Sequence, residues 1–173
     1  VMASLIARQS RHGILKAITA MMKVVRGSYA LVIMTQEELI AVRDPLGIRP
    51  LALGKLDNSY VVASESCAFD AIDAEFVRDV RPGEILVINK DGLKSYQAQS
   101  SMKTALCVFE YVYFARPDSD IDGISVYRSR ENMGIKLAQA FPIEADLVSD
   151  VPDSATPAAS GYAAESGVPY AKA

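Results

Sequence analysis

The feature that most constrains the fold is a change of hydrophobic period around Gly27. Before Gly27, residues 13–25 carry apolar side chains at helical spacing, which predicts an amphipathic helix. Glycine suits a helix end because it adopts positive φ without a Cβ clash. Residues 1–8 also have a helical pattern. The apolar residues of the second helix are Ile14, Leu15, Ile18, Met21, Met22 and Val25.

Short β-type runs follow Gly27, and turn residues separate them. Asp57-Asn58 and Lys90-Asp91-Gly92 are typical hairpin turns. The run at 29–34 is almost continuously apolar, so we expect both of its faces to be covered. A short helix is expected at 67–72. The expected strands are residues 29–34, 38–42, 51–53, 60–63, 85–88 and 93–97.

The pattern changes again after residues 97–104, which are small and polar and typical of a linker. Beyond them we expect a strand at 106–114, a helix, a strand at 146–151 and an alanine-rich helix at 156–166. This order favours an α/β unit with a parallel sheet. The first of these helices carries Val126, Met133, Leu137 and Phe141 on one face.

The composition of the chain argues against several classes of function. The chain has 173 residues and a formal net charge of −3, which argues against a nucleic-acid-binding surface. No apolar run reaches the length of a membrane span. Two cysteines are too few for a disulfide framework and favour a reducing, cytoplasmic compartment. Val1 is not a start methionine and residues 167–170 look like the loop into a further strand, so we interpret the sequence as an interior piece of a longer protein.

Two polar segments are candidates for chemistry in the first half. Residues 43–51 are dense in Arg, Pro and Gly, and they favour a rigid turn with a surface ion pair of Asp44 with Arg43 or Arg49. The alternative is that Arg43 and Arg49 hold a neighbouring domain. Residues 64–67, Ser-Glu-Ser-Cys, invite a nucleophile hypothesis. Because His12 is the only histidine, the sequence instead favours Ser64 or Ser66 as a helix cap with Glu65 near the positive end.

The third candidate is the turn at Asp153 and Ser154, between an expected strand and an expected helix. A helix N-terminus just past the carboxyl end of a strand can bind a phosphate group. Both side chains also offer oxygen ligands to Mg²⁺. The competing interpretation is a plain helix start, capped by Ser154 or Thr156 with Pro157 in its first turn. Cys107, taken alone, is typical of a buried small hydrophobe.

Taken together, these blocks resemble the amidophosphoribosyltransferase family, and the match covers nearly the whole chain. The stretch at 109–119, Phe-Glu-Tyr-Val-Tyr-Phe-Ala-Arg-Pro-Asp-Ser, is the most specific. The other blocks are Gly27-Ser28-Tyr29-Ala30-Leu31, Arg43 to Leu51, Ala63-Ser64-Glu65-Ser66, Arg81-Pro82-Gly83-Glu84 and Val151-Pro152-Asp153-Ser154.

The resemblance implies an α+β chain with two parts. Residues 1–98 would be the C-terminal part of a class II glutamine amidotransferase domain, the late part of an N-terminal-nucleophile glutaminase fold with antiparallel sheets and helices. Residues 105–173 would be the N-terminal part of an α/β type I phosphoribosyltransferase domain. The family releases ammonia from glutamine and transfers it to phosphoribosyl pyrophosphate, giving 5-phosphoribosylamine in the first step of purine synthesis.

The resemblance assigns few functional residues. The family's nucleophilic cysteine, its oxyanion hole and its phosphoribosyl-binding loop would lie outside the chain, so the chain itself is expected to release no ammonia from glutamine. Asp153 and Ser154 would bind substrate, with Ser154 a magnesium ligand. Cys107 matches a ligand of a 4Fe-4S cluster in one branch of the family. The implied partners are glutamine, phosphoribosyl pyrophosphate, purine nucleotide inhibitors and further copies of the same protein, without nucleic acid or membrane.

Two alternatives remain at this point. The chain could be part of another class II glutamine amidotransferase, such as a relative of asparagine synthetase, or a non-catalytic scaffold module. We also expect apolar strands such as residues 29–34 to promote self-association.

Overall fold

The computed structural model describes residues 1–99 and 103–172, so residues 100–102 of the predicted linker lie outside the described residues. The chain divides into two compact units. The first unit comprises Val1–Ser64 and Asp73–Leu106, and the second comprises Glu65–Ile72 and Cys107–Ala173. The predicted domain limits, 1–98 and 105–173, stay a prediction.

In its described residues the first unit contains two α-helices, a short 3₁₀ helix at Ser10–His12 and seven strands. Both α-helices lie where the periodicity predicts them. The strands follow the predicted β runs to within a few residues, with one additional strand, β5. The elements are α1 (Met2–Gln9), α2 (Ile14–Val24), β1 (Ala30–Met34), β2 (Leu39–Arg43), β3 (Ala52–Leu56), β4 (Ser59–Ala63), β5 (Glu75–Asp79), β6 (Glu84–Asn89) and β7 (Gly92–Gln97).

The strands of the first unit form two antiparallel sheets, one in the order β1-β2-β6-β7 and the other in the order β4-β3-β5. Strand side chains alternate between two apolar clusters. On one face Ile40 and Val42 pack with the helices, and on the other face Ala41 packs with Leu51 and Leu53 of the smaller sheet. The unit is therefore a stack of helices, sheet and sheet, with β2 and β6 in its centre.

Strand β1 departs from the prediction that both of its faces are covered. It lies at the edge of its sheet. Leu31 and Ile33 pack toward the helices. On the opposite face the second apolar cluster reaches only as far as Ala30. Val32 and Met34 are consequently 54% and 82% exposed, because a continuous apolar run does not reveal how far the neighbouring layer extends.

The second unit is mainly helical. The strand predicted at 106–114 is wrong, since a π-helical turn occupies Glu110–Phe114. The strand predicted at 146–151 reduces to one parallel bridge between Val148 and Tyr170, which within the described residues is all that represents the expected parallel sheet. The elements are α3 (Cys67–Asp70), the π-helical turn, β8 (Asp120–Ile121), β9 (Ile124–Ser125), α4 (Val126–Ala140) and α5 (Thr156–Ser166).

Helices α4 and α5 pack against each other through glycines. A Cβ atom on Gly134 would lie 1.9 Å from the Ala158 carbonyl oxygen, and one on Gly161 would lie 2.2 Å from the Glu131 carbonyl oxygen. The buried face of α4 therefore contains Gly134. Of the predicted apolar face, Val126 is buried, whereas Met133, Leu137 and Phe141 are exposed. Periodicity misplaced this face because glycine carries no hydrophobic signal.

The predicted α+β class with antiparallel sheets is confirmed. None of the helices in the described ranges combines the length and apolarity needed to cross a bilayer.

Candidate functional site

The turn from Val151 to Ala155 lies at the surface and lines a cleft of about 490 Å³. Tyr113 and Phe114 of the π-helical turn line the same cleft. Val151, Pro152 and Asp153 are exposed and Ser154 is half-buried. The position of this turn beside an open cleft is what a ligand-binding interpretation of Asp153 and Ser154 requires.

The side chains of Asp153 and Ser154 are available for a ligand. Within the described residues neither side chain forms a hydrogen bond, and the Asp153 carbonyl accepts one from the Thr156 amide at 3.4 Å. The peptide bond between Pro152 and Asp153 is cis. A carboxylate and a hydroxyl thus face a cleft at the start of an 11-residue helix, α5, whose N-terminus favours negative charge.

Helix α5 begins without a side-chain cap, which corrects the prediction that Ser154 or Thr156 caps it. Ala155 occupies the N-cap position, and Pro157 lies in the first turn as predicted. The Thr156 hydroxyl donates instead to the Asp150 carboxylate. Periodicity does not indicate such a contact because the two residues belong to different elements.

Asp150 is a buried acid that the sequence did not single out, and it is only 6% exposed. One carboxylate oxygen accepts from Thr156 and the other accepts from the Tyr170 hydroxyl at 2.8 Å. The hydrogen bond from Thr156, followed by that from Tyr170, lowers the pKa of Asp150, so it is charged at neutral pH. The available sequence signal for Asp150 was its position at the end of an apolar run. A carboxylate buried there requires hydrogen-bond donors nearby.

The Arg-rich turn of the first unit is held by many hydrogen bonds, and it is buried and not at the surface as predicted. Arg43 and Asp44 are 1% and 0% exposed. The Arg43 guanidinium donates to the carbonyls of Arg49, Gly47 and Val80 at 2.7–3.1 Å. The Asp44 carboxylate accepts from three backbone amides of residues 46–49 at 3.0–3.3 Å. These contacts saturate the turn with backbone partners, which indicates a structural role.

Comparison with known proteins supplies the decisive observation. The chain is 46% identical over 170 residues to the amidophosphoribosyltransferase of Bacillus subtilis, covering 98% of this chain and 36% of that protein. It is 53% identical over 144 residues to the amidophosphoribosyltransferase of Archaeoglobus fulgidus, covering 83% of this chain and 32% of that protein. This chain is homologous to the amidophosphoribosyltransferases.

The match to the amidophosphoribosyltransferases extends to three dimensions. The structure of the Bacillus subtilis glutamine phosphoribosylpyrophosphate amidotransferase complexed with ADP and GMP superposes with a TM-score of 0.91 at 46% identity. The match covers 99% of this chain and 38% of that one. Residues 3–71 also match the glutamine amidotransferase domain family. The chain spans about a third of the length of the amidophosphoribosyltransferases that it matches.

The segment Ser64–Cys67 overlaps one of the sequence blocks that resemble the amidophosphoribosyltransferases. The side-chain helix cap predicted for this segment is wrong. Ser66 is the N-cap residue of α3 but makes no side-chain cap. Its hydroxyl accepts from the Asp120 amide at 2.8 Å. Glu65 accepts from the Arg116 amide at 2.8 Å and from the Ser119 hydroxyl at 2.9 Å. These bonds fasten the segment to residues 116–120, so they explain its polar composition without a nucleophile.

The cysteine thiols are the first candidates for metal ligation in this chain. Cys67 is buried and Cys107 is half-buried, and both are free thiols. A 4Fe-4S cluster takes four thiolates, and the whole sequence contains two cysteines, so the residues of this chain do not fit a complete cluster site. In the described part of the chain, no three His, Cys, Asp or Glu side chains converge. Asp153 and Ser154 fit Mg²⁺ better, since Mg²⁺ takes few protein oxygens and keeps several waters.

Proposed function

We propose that this chain is part of an amidophosphoribosyltransferase, which transfers glutamine-derived ammonia to phosphoribosyl pyrophosphate and forms 5-phosphoribosylamine in the first step of purine synthesis. The observation that carries the proposal is the match to the Bacillus subtilis enzyme over 98% of the chain at 46% identity. The relatives reported above are all amidophosphoribosyltransferases, which favours this function over another glutamine amidotransferase or a scaffold module.

The turn at Asp153 and Ser154 is proposed as the pyrophosphate side of the phosphoribosyl pyrophosphate site. Its support is local: an open cleft, two polar side chains without partners in the described chain, and the positive end of α5. The Ser154 hydroxyl would donate to a phosphate oxygen or bind a magnesium ion. The ion, when bound, neutralises the pyrophosphate leaving group. The Asp153 carboxylate would hold the ion's water ligands and not the phosphate itself, because like charges repel.

The remaining partners follow from the same proposal. Purine nucleotides would regulate the enzyme, which is consistent with the ADP and GMP in the solved Bacillus subtilis structure. The protein would act in the cytoplasm as a homo-oligomer. Cys107 is kept as a cluster ligand only for a longer protein that supplies the other thiolates. Glutaminase chemistry is assigned to no residue of this chain.

The direct test is genetic and kinetic. The full-length protein that contains this chain should restore growth without purines to cells that lack amidophosphoribosyltransferase. In the purified enzyme, Ser154→Ala should raise the KM for phosphoribosyl pyrophosphate about 10- to 100-fold, the loss expected for one hydrogen bond to a charged group. Ser160→Ala, on the following helix α5, is the matched control and should leave KM unchanged. Failure to restore growth, together with no product formed in vitro, would exclude the proposed function.

A further inference from the structure

We infer that Asp150 is a positioning residue that closes the Val151–Ala155 turn at its base by holding Thr156. The inference rests on the proposed function, because it concerns how the proposed pyrophosphate-side turn keeps its shape. It does not assign Asp150 any contact with the substrate.

The hydrogen bond from Thr156 to Asp150 spans the turn. Asp150 is the residue before the turn, and Thr156 is the first residue of α5 after it. Within the described residues, no other side-chain hydrogen bond joins the two ends of this loop. The five residues between them include both proposed ligand-binding side chains, so the position of the loop depends on this bond.

The second bond of Asp150 has a different role. Tyr170 is already fixed by backbone bonds, because the Val148 amide donates to the Pro169 carbonyl at 2.8 Å and the Ala171 amide donates to the Val148 carbonyl at 3.1 Å. The Tyr170 hydroxyl therefore adds to an existing attachment. Removing it should leave the turn closed, whereas removing the Thr156 hydroxyl should open it.

Asp150 can serve next to an anion-binding turn without opposing the anion directly. It does not line the cleft at Asp153 and Ser154 but a second cleft of about 410 Å³, together with Val148 and Tyr162 among others. Both of its oxygens accept from hydroxyl donors, which stabilise its charge. Asp150 acts on the ligand site through Thr156 and not through space.

The experiment compares Thr156→Val with Tyr170→Phe in the 173-residue chain. Each variant removes one hydroxyl partner of Asp150 and keeps the shape of the side chain. Inorganic pyrophosphate with excess Mg²⁺ is titrated while amide chemical shifts of residues 151–156 are followed by NMR, which detects weak binding. Thr156→Val should weaken binding about 10-fold, Tyr170→Phe less than about 2-fold, and Thr156→Ser, which keeps the hydroxyl, should retain wild-type affinity.

A second variant keeps the test decisive if Thr156→Val does not fold. The double variant Asp150→Leu with Thr156→Val removes both the carboxylate and the hydroxyl of this hydrogen bond, so no buried carboxylate is left unsatisfied. It should fold and still bind pyrophosphate weakly. Equal affinity in the wild type and in the variants that lack the bond would overturn the inference and leave the proposed function intact. No shift of residues 151–156 in the wild type would overturn the proposed pyrophosphate site itself.

Discussion

The two units of the chain are stabilised by different kinds of buried group. Among the described residues, both apolar clusters lie in the first unit, where β2 and β6 are covered on two sides by apolar side chains. The first unit also buries charged side chains, Arg43, Asp44 and Glu84. The second unit buries single apolar side chains such as Phe69, Ile121 and Val126, and it buries Arg130, Glu110 and Asp150 together with the glycines of its helix pair. Several of its large apolar side chains are exposed, among them Phe109, Tyr113, Phe114, Leu137 and Phe141.

The comparison teaches that hydrophobic burial is readable from sequence and hydrogen-bonded burial is not. The free energy that holds the first unit together comes chiefly from apolar area removed from water. In the second unit much of it depends on hydrogen bonds that satisfy buried polar groups and on close backbone packing. In the first unit, an apolar deletion should therefore cost more stability than the loss of a polar side chain. In the second unit, the order should be reversed.

The largest expected effect is at Arg130, in the second unit. Its guanidinium donates to the carbonyls of Tyr111, Ala115 and Glu110 at 2.6, 2.7 and 3.3 Å. Burial lowers its pKa, an effect that the charge of Glu65 opposes. Arg130→Met should lower the free energy of unfolding by about 4 kcal/mol, because it leaves buried carbonyls without donors. Urea denaturation followed by circular dichroism measures the loss.

Arg128→Met is the matched control, on the same helix but exposed. Its effect should be within about 0.5 kcal/mol, the range for ordinary surface substitutions. Hydrogen exchange measured by mass spectrometry locates the damage. Faster exchange should be confined to residues 107–140, and a similar increase in the strands of the first unit would contradict the separation of the two kinds of stability.

Arg130 also shows why part of the fold could not be predicted. The aromatic and β-branched composition of residues 106–114 predicts a strand by propensity alone. The observed π-helical turn is held by a guanidinium that is 15–20 positions away in the sequence. In the first unit β2 also has a distant polar contact, from Arg43 to the Val80 carbonyl, but this contact lies at the end of the strand. The alternation of Ile40, Ala41 and Val42 between two cores agrees with local propensity.

The second-largest effect is expected for an apolar deletion in the first unit. Ile40 is fully buried between β2 and the helices. Ile40→Ala should lower the free energy of unfolding by about 3 kcal/mol, through lost transfer energy and a residual cavity. Thermal and urea unfolding monitored by circular dichroism measure it.

Two controls sharpen this second comparison. Val32→Ala removes exposed apolar atoms from the same sheet, and Leu137→Ala removes them from α4, where Leu137 is 53% exposed. Both should change stability by less than about 1 kcal/mol. A loss at Leu137 as large as that at Ile40 would show that the second unit also depends on an apolar core.

The candidate site also combines features that the sequence predicts with hydrogen bonds that it does not predict. The sequence placed Asp153 and Ser154 between a strand end and a helix, and the structure places them on an open cleft. It did not indicate Asp150, whose two donors lie 6 and 20 residues further along the chain. Turn chemistry is local and readable, whereas the hydrogen bonds that secure a turn come from residues that only folding brings together.

A smaller effect is expected at the glycine contact between α4 and α5. Gly134→Ala adds a Cβ that would meet the Ala158 carbonyl oxygen at 1.9 Å, so the two helices must separate. The expected loss is about 2 kcal/mol, typical of overpacking and despite the better helix propensity of alanine. Asn132→Ala, exposed on the same helix, should be neutral or slightly stabilising. An unchanged melting temperature for Gly134→Ala would contradict the close packing.

The smallest effect concerns the buried ion pair of the first unit. Glu84 is 0% exposed and binds the Arg78 guanidinium at 2.7 and 2.8 Å. It also accepts from the Ser95 hydroxyl at 2.5 Å and from the Arg81 amide at 2.7 Å. Burial alone would raise the pKa of Glu84, but these hydrogen bonds outweigh it and lower the pKa. Glu84→Gln should cost about 1.5 kcal/mol at neutral pH, since Arg78 can regain water.

The pH dependence of this loss tests its origin. A carboxyl whose pKa is lower in the folded state stabilises the fold above its unfolded pKa, here an ordinary value of 4.5, and that stabilisation is lost as the pH falls through the folded value. Glutamine does not titrate, so the difference between wild type and Glu84→Gln should shrink as the pH falls below 4.5. Glu75→Gln, exposed on β5, is the matched control, and at neutral pH it should change the free energy of unfolding by less than about 0.5 kcal/mol. A difference that stays constant with pH would mean that Glu84 stabilises the first unit by shape and hydrogen bonding without its charge.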